Sequence, residues 1–209
     1  GVENARLSDV LDYALKGKKS RILYSADELK AYLKNRKIEG KGRILFVLSL
    51  GECGINLEIV RLIRFLRESG NILEGFIGGV IADSKSDLYT KSAARGLVFT
   101  ANMAGCAFVG RPLVEGTGTL SNFSIVAGNM GTDLMGAYRQ SAAILTEQIL
   151  TEEFQRKKKP GLLALHASSH RTSNTFALWD QVKERLEGFD IREIGLPNGT
   201  LSDCSGWPY

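Results

Sequence analysis

Ile44-Leu45-Phe46-Val47-Leu48 is an unbroken apolar run of strand length, and a turn, Gly51-Glu52-Cys53-Gly54, leads from it into a segment with helical spacing. A strand without polar alternation must be covered on both faces, which a parallel sheet between helix layers provides. In residues 56–68, Ile59, Leu62, Ile63 and Leu66 share one helical stripe, and Gly70 stops it. The alternation then returns. Residues 75–82 read as a second buried strand, 90–104 as a helix, 124–127 as a short strand and 134–150 as a helix. Residues 162–166, 174–186 and 191–196 follow as strand, helix and strand. Strand and helix in repeated succession predict an α/β fold, a three-layer doubly wound parallel sheet.

Before the first strand, Leu7, Val10, Leu11 and Ala14 fall at helical spacing, and Ser25-Ala26-Asp27-Glu28 reads as a capping box opening a second helix. The expected organisation is therefore a helical segment over 1–42, an α/β domain over 43–152, a linker over 153–160 and a second α/β unit over 161–209. Arg156-Lys157-Lys158-Lys159, beside Pro160, marks the linker, and its basic run reads as solvated rather than as a patch for an anionic ligand. The chain has 209 residues, 44% of them apolar and 24% charged, which excludes collagen-like, disulfide-scaffold and disordered classes. A formal charge of +4 is too small to imply a nucleic-acid partner. The three cysteines, Cys53, Cys106 and Cys204, form no C-x-x-C pair, so a reducing, cytoplasmic setting is expected. No apolar run is long enough for a membrane span, and two histidines, His166 and His170, are too few for a multi-histidine metal site.

The richest chemistry lies in Ala167-Ser168-Ser169-His170-Arg171-Thr172-Ser173-Asn174-Thr175, between a predicted strand and a predicted helix start. Free N–H groups and the positive dipole end of a helix, with hydroxyl donors and a cation beside them, can hold a phosphate without a metal. Ser173 or Asn174 alone would suffice as a helix cap; seven polar residues in succession exceed what a cap requires. The loop contains neither a P-loop nor a G-x-G-x-x-G fingerprint.

The segment from Leu163 to Thr175 resembles the first strand and phosphate loop of NADPH-dependent FMN reductase-like proteins of the flavodoxin fold. Ala167 stands where a glycine is usual in that family, and His170 where an arginine is usual, with Arg171 beside it. The resemblance implies that Ser168, His170, Arg171, Ser173, Asn174 and Thr175 surround the flavin 5′-phosphate. It also implies FMN as cofactor, NADPH or NADH as donor, a small-molecule or protein electron acceptor, and a homodimer. Related proteins carry a C-x-G-C segment after the second strand; here Cys204 and Gly206 are kept and Trp207 stands at the second cysteine, which disfavours a metal cluster.

A flavodoxin-like domain needs about five strands and well over 100 residues, whereas the resemblance covers about fifty. Two expectations follow: residues 161–209 are the start of a longer domain, or they add strands to the first sheet. Residues 43–150 are also flavodoxin-like in strand and helix order. Their first turn carries Glu52 where a phosphate needs donors, so a scaffold without flavin is expected there. Gly116-Thr117-Gly118-Thr119 reads as a tight turn, Arg111 with Glu115 as a surface ion pair, Tyr89 as a loop anchor or stacking group, and His166 as a packed histidine. The leading expectation is an NAD(P)H-dependent FMN oxidoreductase. The alternatives are a non-catalytic scaffold for dimerisation or redox-partner docking, and a phosphosugar or nucleotide enzyme using the same loop.

Overall fold

The computed structural model describes residues 4–35, 42–51, 53–153, 159–167 and 173–196. The chain divides into two compact units, Gly1–Glu153 and Phe154–Tyr209.

In the first unit, strands β1 (Gly42–Leu50), β2 (Phe76–Ser84) and β3 (Ala107–Gly116) pair in the order β1-β2-β3, all parallel. Every residue of β2 is buried, as expected for the central strand of a parallel sheet. Side chains alternate along it. Ile77 and Ile81 enter a core with helices α1 (Ala5–Ala14), α5 (Ser124–Met130) and α6 (Leu134–Thr151). Phe76, Val80 and Ala82 enter a second core with α2 (Ala26–Asn35), α3 (Leu57–Glu68) and α4 (Thr90–Met103). The sheet is thus the middle of three layers. The two N-terminal helices belong to both outer layers: Leu7, Val10 and Ala14 sit in the first core, and Leu29 and Leu33 in the second.

Gly78-Gly79 lies mid-strand in β2 for reasons of space. A Cβ on Gly78 would meet Cys106 Sγ at 2.9 Å, and one on Gly79 would meet Ile149 Cδ1 at 2.7 Å. The paired glycines thin the sheet on both faces, so the layers above and below approach closely.

Two predicted elements differ from the structure. Gly110-Arg111-Pro112 reads in the sequence as the start of a glycine-rich stretch through Gly118, yet β3 runs as far as Gly116. Its register passes from Gly78↔Phe108 to Val80↔Leu113, so Val109–Pro112 bulge out opposite Gly79. Pro112 cannot donate to a ladder, and an edge strand with a bulge is where a sheet accepts it. Residues 124–127, expected as a strand, open α5, which Gly131 ends in the left-handed conformation at φ 65°. A four-residue apolar run has no periodicity that separates strand from helix.

In the second unit, β4 (Gly161–His166), α7 (Asn174–Lys183) and β5 (Asp190–Gly195) form a parallel strand-helix-strand motif, and the two strands pair with each other in a sheet of their own. They do not join the three-stranded sheet, as one of the two sequence expectations had it. Leu162, Ala164 and His166 alternate with Leu163 and Leu165, which are 57% and 62% exposed. No described residue of this unit is buried.

Candidate functional site

The carboxyl ends of parallel strands are where α/β folds place ligands, and each unit has such an edge. In the first unit it is filled from within. Asp83, 1% exposed at the end of β2, accepts hydrogen bonds from Arg6 Nε (3.0 Å) and Nη2 (3.0 Å) and from Asn4 Nδ2 (2.7 Å). The same guanidinium donates to the carbonyls of Ser84 (2.7 Å), the last residue of β2, and Gly118 (2.9 Å), on the loop after β3. Asn4 uses both ends of its amide. Its Oδ1 caps α1 by accepting the Leu7 N–H at 3.0 Å, while its Nδ2 reaches Asp83 and, at 3.3 Å, Ser49 Oγ at the end of β1. A buried carboxylate is tolerated only when paired and hydrogen-bonded. Asn4 and Arg6 do both, and in doing so they close the edge.

Gly116 makes room for this cluster. A Cβ there would lie 2.5 Å from Tyr138 Cε1 and 2.7 Å from Asp83 Oδ2. Among the described residues the buried Tyr138 hydroxyl makes no well-formed hydrogen bond although it faces Asp83, and burial first, then the Asp83 charge, pushes its ionisation far above the ordinary phenol range. It stays neutral and packs through its ring on Phe123, centroids 5.2 Å apart. At the rim, Asp87 is held below the usual carboxylate range by the Thr119 backbone N–H and hydroxyl. Glu115 accepts from Thr90 Oγ1 at 3.1 Å and lies 3.7 Å from Lys91 Nζ. The expected Arg111–Glu115 pair is replaced by these partners, because Arg111 lies in the β3 bulge, out of strand register. Tyr89 adopts φ 73° and its Cβ lies so close to Gly54, itself at φ 69°, that no side chain fits there. The aromatic ring thus pins the loop after β1 to the loop before α4, as the anchor reading of Tyr89 requires.

The edge of the second unit is built differently. β4 runs toward the 167–175 segment, and α7 starts at its end. Of the expected phosphate ligands, Ser168, His170 and Arg171 lie outside the described residues. The structure brings Ser173, Asn174 and Thr175 together at the head of α7. Ser173 is the N-cap, its Oγ accepting the Thr175 N–H at 3.2 Å. A hydroxyl that accepts this bond keeps its own proton to donate, and Asn174 and Thr175 are exposed. These residues fit an anionic oxygen group. Beside them is an apolar cleft of ≈ 170 Å³ lined by Ala164, Leu165, His166, Thr175, Phe176 and Trp179, below the 300–1,000 Å³ of ordinary ligand pockets.

His166 faces α7, its ring edge-on to Phe176 at 4.4 Å and its Nε2 3.3 Å from Glu193 Oε1. Glu193 also accepts from Trp179 Nε1 (2.9 Å) and Lys183 Nζ (3.0 Å), which together hold it below the usual carboxylate range. Lys183 in turn lies 2.7 Å from Asp180 Oδ1. His166, Trp179, Lys183 and Glu193 are a network that motif reasoning passed over. The signal available in the sequence was the 179/183 helical pair opposite the alternate strand position 193. Among the described residues, no three His, Cys, Asp or Glu side chains gather as a metal site, and no helix is long and apolar enough to cross a membrane.

None of the protein-family models, curated proteins or solved structures compared with this chain matches it.

Proposed function

We propose that residues 161–209 open a flavodoxin-like unit holding FMN by its phosphate, and that the protein is an NAD(P)H-dependent oxidoreductase of the cytoplasm. The observation that carries this reading is the hydroxyl- and amide-bearing head of α7, placed at the carboxyl end of a parallel strand with Ser173 as its cap. Ser173, Asn174 and Thr175, with Ser168, His170 and Arg171 from the preceding segment, would bind the phosphate. FMN supplies hydride acceptance from the nicotinamide and electron transfer to an acceptor. The exposed Leu163 and Leu165 support the further reading that this unit is part of a larger flavodoxin-like sheet, since a parallel sheet carries cover on both faces.

The test is the visible spectrum of the purified chain titrated with FMN. Saturable binding is expected, and the double variant Arg171→Ala/Ser173→Ala should weaken it by about 2–4 kcal/mol, allowing for non-additivity. An unchanged affinity rejects the placement. For the first unit, the edge filled by Asn4 and Arg6 favours the second reading, a flavin-free scaffold for dimerisation or redox-partner docking.

A further inference from the structure

Helix α4 carries Lys91, Arg95, Phe99 and Met103 at successive four-residue steps, and all four are exposed. Phe99 and Met103 are 64% and 66% exposed, the largest apolar exposure on this helix. Between them and Arg95 lies Gly96, where a Cβ would meet nothing within 4 Å. Glycine is among the poorest helix formers, and nothing packed against this position within 4 Å calls for it. An open notch beside an exposed aromatic one turn away suits close approach of a second backbone from outside.

Charge selects the occupant. The α4 sequence TKSAARGLVFTANM contains two cations and no acid. Lys91 is partly neutralised by Glu115 at 3.7 Å, but among the described residues no carboxylate pairs with Arg95. By contrast, Arg61 and Arg64 on α3 each hold a glutamate of their own helix. A second copy of the same stripe would bring no acid to Arg95. Phe99 and Met103 together offer on the order of 250 Å², below the roughly 600–1,000 Å² that each partner of a stable dimer buries. Two apolar residues are also too few for a helix lying in a lipid surface.

We infer that the outer face of α4 is a transient docking surface for a helical segment of a partner protein, with an apolar seam over Phe99 and Met103, backbone approach at Gly96, and acidic side chains against Arg95. This surface is independent of flavin binding.

The probe is a fluorescein-labelled peptide of about three heptads with leucine at a and d and glutamate at e and g, whose like charges keep it monomeric at neutral pH. A counterpart carries lysine in place of glutamate. Anisotropy with the full chain should show saturable binding of the acidic peptide, weakened by added salt. Arg95→Glu and Gly96→Leu should each weaken it at least tenfold with the far-UV circular dichroism unchanged, and the lysine peptide should not bind. No binding at about 1 mM, equal binding of both peptides, or indifference to both substitutions overturns the inference. Binding to phosphatidylserine vesicles in place of the peptide, abolished by Arg95→Glu, overturns it in favour of a membrane. A sedimenting dimer lost on Phe99→Ser overturns it in favour of a second copy.

Discussion

Arg6→Ala removes the guanidinium from a carboxylate that stays buried. Asp83 loses two of its three hydrogen bonds, and the Ser84 and Gly118 carbonyls lose their donor. Deleting one partner of a buried ion pair costs roughly 3–5 kcal/mol, mostly as the desolvation of the charge left behind. Here Asn4 still donates to Asp83 Oδ1, and the Arg6 side chain is 24% exposed, so water can reach part of the vacated space. The lower end, about 3 kcal/mol, is therefore expected. For a chain of this length that lowers Tm by about 6–12 °C. The loss should appear in the circular dichroism melt at 222 nm, where the helices of the first unit dominate the signal. The decisive assay is a double-mutant cycle in urea with Asp83→Asn. If the pair acts as described, the double variant recovers part of the loss and the coupling energy reaches about 2 kcal/mol. A single-variant loss below about 1 kcal/mol, or coupling near zero, refutes the reasoning.

Tyr138→Phe removes a buried hydroxyl that faces the Asp83 carboxylate without a well-formed hydrogen bond, and should change stability by no more than about 1 kcal/mol in the same urea assay. Gly116→Ala forces a methyl against the Tyr138 ring and the Asp83 carboxylate, and should cost about 1–3 kcal/mol by thermal melting. Burial pushes the Cys106 thiol up to about 12, so at pH 8 a chromogenic disulfide reagent acting on Cys204→Ser protein should titrate Cys53 quickly and Cys106 only on unfolding. The folded-state ionisation of Glu193 is depressed, chiefly by the Trp179 and then the Lys183 hydrogen bond, so its contribution is present above the ordinary carboxylate range and lost as pH falls through the lower folded value. Trp179 fluorescence should follow that loss below about pH 4.5, and Glu193→Gln should remove the transition.

The parallel α/β character was legible because buried strands leave no polar alternation: the apolar run 44–48 and the β2 core could be read directly. β3 was not, because Gly110 and Pro112 are turn residues by local chemistry, and only their position on an edge strand, with a bulge to absorb them, makes them compatible with a ladder. Local pattern carries no information about which strand is an edge. The N-terminal helices were legible as helices from their spacing and capping box. The place of α1 in one outer layer depends on its packing in one core with residues 137–149, and that of α2 in the other on Leu29 and Leu33 packing in a core with Phe46 and Leu66, too distant in sequence for periodicity to reveal.

The same limit explains the two sheet edges. The loop at 167–175 announces its chemistry locally, since its donors are consecutive, and of these donors the structure describes Ser173, Asn174 and Thr175, gathered at the head of α7. The Asp83 cluster draws on Asn4, Arg6, Ser49, Gly116 and Tyr138, five positions spread over more than 130 residues. Each has a bland local reading: a cap, a surface cation, a hydroxyl, a turn glycine, a core aromatic. Glu52 in the first turn had argued against a phosphate there, on the ground of charge alone. The geometry adds a separate reason that applies to any ligand at that edge: the space at the end of β2 is already taken by the guanidinium of Arg6, fixed by Asp83 and the carbonyls of Ser84 and Gly118 and by the cap of its own helix. Opening it would strand a buried carboxylate, so a ligand able to displace Arg6 would itself have to present a cation to Asp83.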